Sequence, residues 1–173
     1  QERNANLIIC GWKGYSSYRD NFFGSVIDNV ARRTLVPMLI TRFMQPIAST
    51  QRVFLAVSEV ETRAASFQQT LTLTQALATE LKAKLQILEV LSNPRLGGAS
   101  TIPGLESDVP VQRVRGNFVQ QVSRILQTDD LLVLTHNAHP ELLSVPTLGV
   151  APEAIARHHP EVSIIIAHFP HQG

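Results

Sequence analysis

The residues best suited to chemistry are Gly11-Trp12-Lys13-Gly14, followed after nine residues by Gly24-Ser25. Glycine carries no Cβ, so its backbone N–H groups can approach an anion closely. A helix starting after Gly24 would add free N–H donors and the positive end of its dipole. The Ser25 hydroxyl can donate to a phosphate oxygen, and Lys13 supplies positive charge. Gly11, Lys13, Gly14, Gly24 and Ser25 are therefore the candidate phosphate-binding residues. A plainer alternative stays open at this point: Gly11 and Gly14 shape a strand-to-helix turn, and Ser25 caps the helix.

Other reactive side chains carry less. The histidines (136, 139, 158, 159, 168 and 171) all fall in the last part of the chain. A zinc site needs three or four convergent ligands, whereas adjacent His158 and His159 diverge from a helix end, where histidine suits the negative end of the dipole. No metal site is expected. Asp129-Asp130 could form a carboxylate pair, but Asp130 falls at a strand entry and reads as structural. Trp12 and Tyr15 either stack on a ligand or partner, or simply cover the loop. Cys10 reads as a small buried strand residue; a single cysteine allows no internal disulfide and fits a reducing compartment. No Ser/His/Asp or Cys/His set has a supporting motif, so no catalytic residue is assigned and the chain is not expected to be an enzyme. The net charge is +1 and the 15 basic residues are scattered, so nucleic acid is not an expected partner.

The elements that must position the loop follow from hydrophobic patterning. The chain has 173 residues, 44% hydrophobic and 17% charged, enough for one core or one core plus a fragment. Apolar runs predict strands at 7–10, 38–40, 53–57, 85–90, 109–114, 131–134 and 162–167. Helical spacing predicts helices from Ser25, over 62–82, over 117–127 with Asn117 as N-cap, and over 150–158. Loops rich in Gly and Pro fill 92–108 and 136–148. Strands alternating with helices imply a parallel sheet with helices on its faces and right-handed crossovers. No run is long enough to span a bilayer, and no signal peptide is visible. The start at Gln1, close to a buried-type strand, reads as a piece of something longer.

An internal repeat divides the chain. Asn6–Cys10 aligns with Asp130–Leu134, Gly24 with Gly149, Ala31-Arg32 with Ala156-Arg157, and Leu39-Ile40 with Ile164-Ile165. Residues 1–42 thus match the last third of residues 52–173, with 43–51 as a linker.

The Gly-x2-Gly-x9-Gly-Ser spacing resembles the ATP-binding signature of the universal stress protein family. Arg52–Val57 resembles the family's first strand, and Gly116 through Val133 its passage from third to fourth strand. The resemblance implies an α/β fold: a five-stranded parallel sheet of order 3-2-1-4-5 sandwiched by helices over 52–173. Residues 1–42 would be the C-terminal strand-helix-strand half of a first module. The second copy departs from the signature. Thr135 and Ala138 stand at the glycine positions, Val150 follows Gly149, and Ser58 replaces the acidic residue after the first strand. ATP is thus expected only at the first module when complete, and no cofactor at the second.

The join from Ile40 through Pro46 into Arg52–Val57 also resembles the cytoplasmic tail of bacterial cation:proton antiporters. That resemblance implies a non-catalytic regulatory or nucleotide-sensing region, at the cytoplasmic face of a membrane, with a transporter membrane domain as partner. The alternatives are a free-standing cytoplasmic tandem stress protein that binds ATP, and a degenerate module used only for dimerisation. Residues 38–41 are expected to lie against 164–167 of the same chain or another, giving a homo-oligomer through sheet-edge strands.

Overall fold

A computed structural model describes residues 5–14, 25–91, 102–105, 108–136 and 150–170. The strands are β1 (Ile8–Gly11), β2 (Met38–Arg42), β3 (Arg52–Ser58), β4 (Lys84–Leu91), β5 (Val111–Arg115), β6 (Asp130–Thr135) and β7 (Ser163–His168). The helices are α1 (Ser25–Arg33), α2 (Phe67–Leu81), α3 (Phe118–Ile125) and α4 (Ala151–His158). Boundaries moved where backbone chemistry overrode hydrophobic pattern. A short 3-10 turn at Glu61–Arg63 precedes α2, which ends as Lys82 turns left-handed at φ 53°. Strand β5 starts after Pro110, which lacks an N–H to donate to a ladder, although its carbonyl still accepts from Ile87. The Asn117 side chain caps α3 by accepting the Gln120 N–H at 3.1 Å.

All seven strands join one sheet in the order β1-β2-β7-β6-β3-β4-β5. Every neighbouring pair is parallel except β2 and β7, where Met38 faces His168 and Arg42 faces Ile164. Residues 38–41, expected to lie against 164–167 of the same chain or another, pair with them within the chain and antiparallel, which makes the sheet continuous over seven strands. The reason lies in β7, whose residues Ser163–His168 are all buried. Left as an edge, that apolar strand would expose both its backbone groups and its Ile side chains. Strand β2 covers it, and Met38–Arg42 are themselves all buried.

One face carries the larger core: Phe54, Leu88, Leu132, Ile164, Met38, Ile40 and Trp12 pack with Val122 of α3, Ile155 of α4 and Ala31 of α1. The other packs Val53, Leu55, Val57, Ile87 and Val133 against Phe67 and Leu71 of α2. Each fully buried Leu, Ile or Phe contributes about 1.5–3 kcal/mol by leaving water. A fork between Arg52 and Asp130 (Nε–Oδ1 2.7 Å, Nη2–Oδ2 2.5 Å) ties the beginnings of β3 and β6. Asp130 also accepts the Gln127 N–H at 2.7 Å, so the buried carboxylate is well satisfied. Asp130, read from the sequence as structural, is thus a buried carboxylate bound to arginine.

Candidate functional sites at the strand ends

Helix α1 links two parallel strands, so it runs back along the sheet and its N-terminus lies at their carboxyl ends. In open α/β sheets that end is where ligands bind. At the end of β1, the Trp12 N–H donates to the Thr41 carbonyl at 2.8 Å, and the Thr41 hydroxyl to the Cys10 carbonyl at 3.3 Å. These bonds hold the start of the loop against β2. Trp12 is buried in the main core, so it supports the loop from beneath and does not offer a stacking face. Lys13 is exposed. Gly11 is exposed, and a Cβ there would meet nothing within 4 Å. Gly14 adopts φ +89°, and a Cβ would lie 2.5 Å from Arg42 Nε. Glycine is therefore required at 14 for backbone conformation and for space, and at 11 for neither. Gly24 and Tyr15 lie outside the described residues; Ser25 opens α1.

Arg42, which the sequence reading did not single out, holds this loop to the second copy. It is buried, and donates through Nη1 to the Val162 carbonyl at 3.1 Å and through Nη2 to the Pro160 carbonyl at 2.6 Å. Burial pulls its pKa below the usual arginine value, with Glu161 acting in the opposite sense. Its Nε has no acceptor among the described residues. An arginine at the end of a strand is ordinary in sequence; the parallel β1–β2 pairing puts it under Gly14, and the antiparallel β2–β7 pairing brings it to the Val162 and Pro160 carbonyls.

The second copy presents different chemistry at the ends of β3 and β6. The Glu61 carboxylate accepts the Ser58 N–H at 2.5 Å and, through its other oxygen, the Thr135 hydroxyl. Glu61 is buried. Beside it the Glu59 N–H donates to the Val90 carbonyl at 3.1 Å, and Arg113 holds Glu89 at 2.7 Å. On the strand ends beyond, His136 and His168 meet Nδ1 to Nδ1 at 2.6 Å, ring centroids 4.5 Å apart and planes at 68°. One Nδ1 must donate and the other accept, so both rings cannot be imidazolium in this arrangement. The sequence reading missed this pair because 32 residues separate the two histidines. No group of three or more metal-ligating side chains occurs among the described residues. Of the second copy's departures, Ala138 lies outside the described residues, as does the retained Gly149.

The model of the universal stress protein family matches residues 1–42. No curated protein matches the chain. Among solved structures, a universal stress protein from Archaeoglobus fulgidus DSM 4304 is similar with TM-score 0.59 and 18% identity, covering 94% of this chain and 60% of that one. A putative universal stress protein from Pseudomonas aeruginosa UCBPP-PA14 gives TM-score 0.61 and 16% identity, covering 93% and 62%. The chain thus spans about 60% of the length of the structures it matches. The fold is the α/β fold of universal stress proteins, with a seven-stranded, mostly parallel sheet. Among the described residues, no helix is long and apolar enough to cross a membrane.

Proposed function

We propose that this chain is a non-catalytic, nucleotide-sensing regulatory region in which only the first copy's loop is built to hold phosphate. The observation that carries the reading is Gly14, held at φ +89° at the carboxyl end of β1, within the segment that matches the stress protein family. Lys13 supplies charge from the loop, and α1 begins at Ser25 on the same end of the sheet. In the second copy the equivalent loop starts at Thr135, whose hydroxyl is committed to Glu61. The partners in this reading are the membrane domain of a cation:proton antiporter and further copies of the chain. The alternative, a free-standing tandem stress protein that binds ATP, draws on the resemblance to the two solved stress proteins, which are longer than this chain.

Two measurements test the reading. Calorimetry with ATP on the full gene product is expected to show binding that Gly14→Ala or Ser25→Ala weakens at least tenfold, while residues 1–173 alone bind no tighter than high micromolar. Binding unaffected by both substitutions overturns the site. The gene upstream separates the contexts: roughly a dozen apolar stretches of about 20 residues support the transporter tail, and their absence favours the free-standing protein.

A further inference from the structure

We propose that the ligand crevice of the second copy is an anion site already occupied by the chain's own Glu61 carboxylate. The sheet order reverses between β3 and β6: the chain leaves β3 toward β4 on one side and later returns to β6 on the other. The crevice outside the carboxyl ends of two such strands is where open α/β sheets bind ligands. Here, among the described residues, the Ser58 N–H at the end of β3 and the Thr135 hydroxyl at the end of β6 both donate to Glu61. One carboxylate oxygen serves each strand, which is how an external carboxylate or phosphate would bridge them.

A local explanation covers half of this. Ser58-Glu59-Val60-Glu61 forms a capping box, with the Glu61 N–H pointing to Ser58 Oγ at 3.4 Å and the carboxylate returning to the Ser58 N–H. A capping box uses one carboxylate oxygen. The other bonds a residue 74 positions away on a different strand. Burial of Glu61 beneath that bond makes the side chain an internal ligand as well as a cap. The inference concerns the second copy alone, so it stands whether or not the glycine loop binds nucleotide.

The experiment is chemical rescue read by thermal unfolding. Glu61→Ala leaves the two donors facing an anion-sized hole, and the midpoint is expected to fall by roughly 5 °C. Sodium formate at about 100 mM should restore at least half of that loss, while sodium chloride at equal ionic strength should not. Wild type should gain nothing specific from formate. Adding Thr135→Val should abolish the rescue, because it removes the cross-sheet donor and leaves the capping box donors in place. If Glu61→Ala is recovered unfolded, refolding from urea with and without formate takes the place of the melt. Recovery only with formate supports the proposal. A midpoint equal to wild type, equal rescue by chloride, rescue that survives Thr135→Val, or refolding indifferent to formate each overturns it.

Discussion

Gly14 and Asp28 carry the sharpest residue-level consequences. Gly14→Ala puts a Cβ at φ +89° and 2.5 Å from Arg42 Nε, with Arg42 anchored at its far end to Pro160 and Val162. The expected loss is about 1–3 kcal/mol in urea unfolding. In a double-mutant cycle with Arg42→Ala the two effects should be non-additive by at least about 0.5 kcal/mol, because the clash needs both side chains. Additivity would mean that Arg42 yields freely. Asp28 is buried on α1 with Oδ1 unbonded among the described residues. Burial raises its pKa, and Arg32 partly opposes this. A carboxyl whose folded pKa is raised binds its proton more tightly in the folded state. Its contribution is therefore most favourable below the ordinary carboxylate pKa and is lost as pH rises through the raised value. Asp28→Asn should thus gain stability relative to wild type on going from pH 4 to pH 7. A difference independent of pH would refute the assignment.

Elements show how the sheet's two ends differ. β5 ends the sheet with Gln112, Arg113 and Arg115 at or near its surface, a charged edge that discourages pairing. β1 ends it with Leu7 46% exposed beside the strand and Ile9 63% exposed on it. By the internal repeat, β1 corresponds to β6, and β6 is paired on both sides, by β3 and β7. β1 is paired only by β2. This edge is the expected contact for homo-oligomers. Light scattering at low micromolar concentration should report a dimer or larger, and Ile9→Lys should reduce association with little change in melting temperature. A monomeric wild-type chain would remove the edge from consideration.

For the whole molecule, the β2–β7 pairing decides what is stable. The described part of residues 1–42 holds two strands and one helix, too little buried surface to fold alone. Residues 52–173 without them would present β7, with Ile164, Ile165 and Ile166, as an open apolar edge. That shortened chain is expected to self-associate or precipitate at concentrations where residues 1–173 remain dispersed, as size-exclusion chromatography would register. A well-behaved monomer of 52–173 would show that α1 to β2 add little to the second copy.

Much of this was legible in the sequence because it rests on local pattern. Apolar runs such as Leu131–Leu134 and Ile164–Ala167 bury strands on both faces, and their alternation with amphipathic helices leaves little choice but a mostly parallel α/β sheet. The Asn117 cap is likewise a matter of a few adjacent residues. What the tertiary structure alone decided are contacts between residues far apart in the chain. Only the antiparallel pairing of β2 with β7 brings Arg42 to the Val162 and Pro160 carbonyls, as the parallel pairing of β1 with β2 brings it beneath Gly14. Only the parallel neighbours β3 and β6 bring Thr135 to Glu61, and β6 and β7 bring His136 to His168. Hydrophobic periodicity specifies which face of a strand is buried, but it leaves open which strand lies beside it. That choice depends on the burial of whole strands against one another, and it sets the chemistry at their ends.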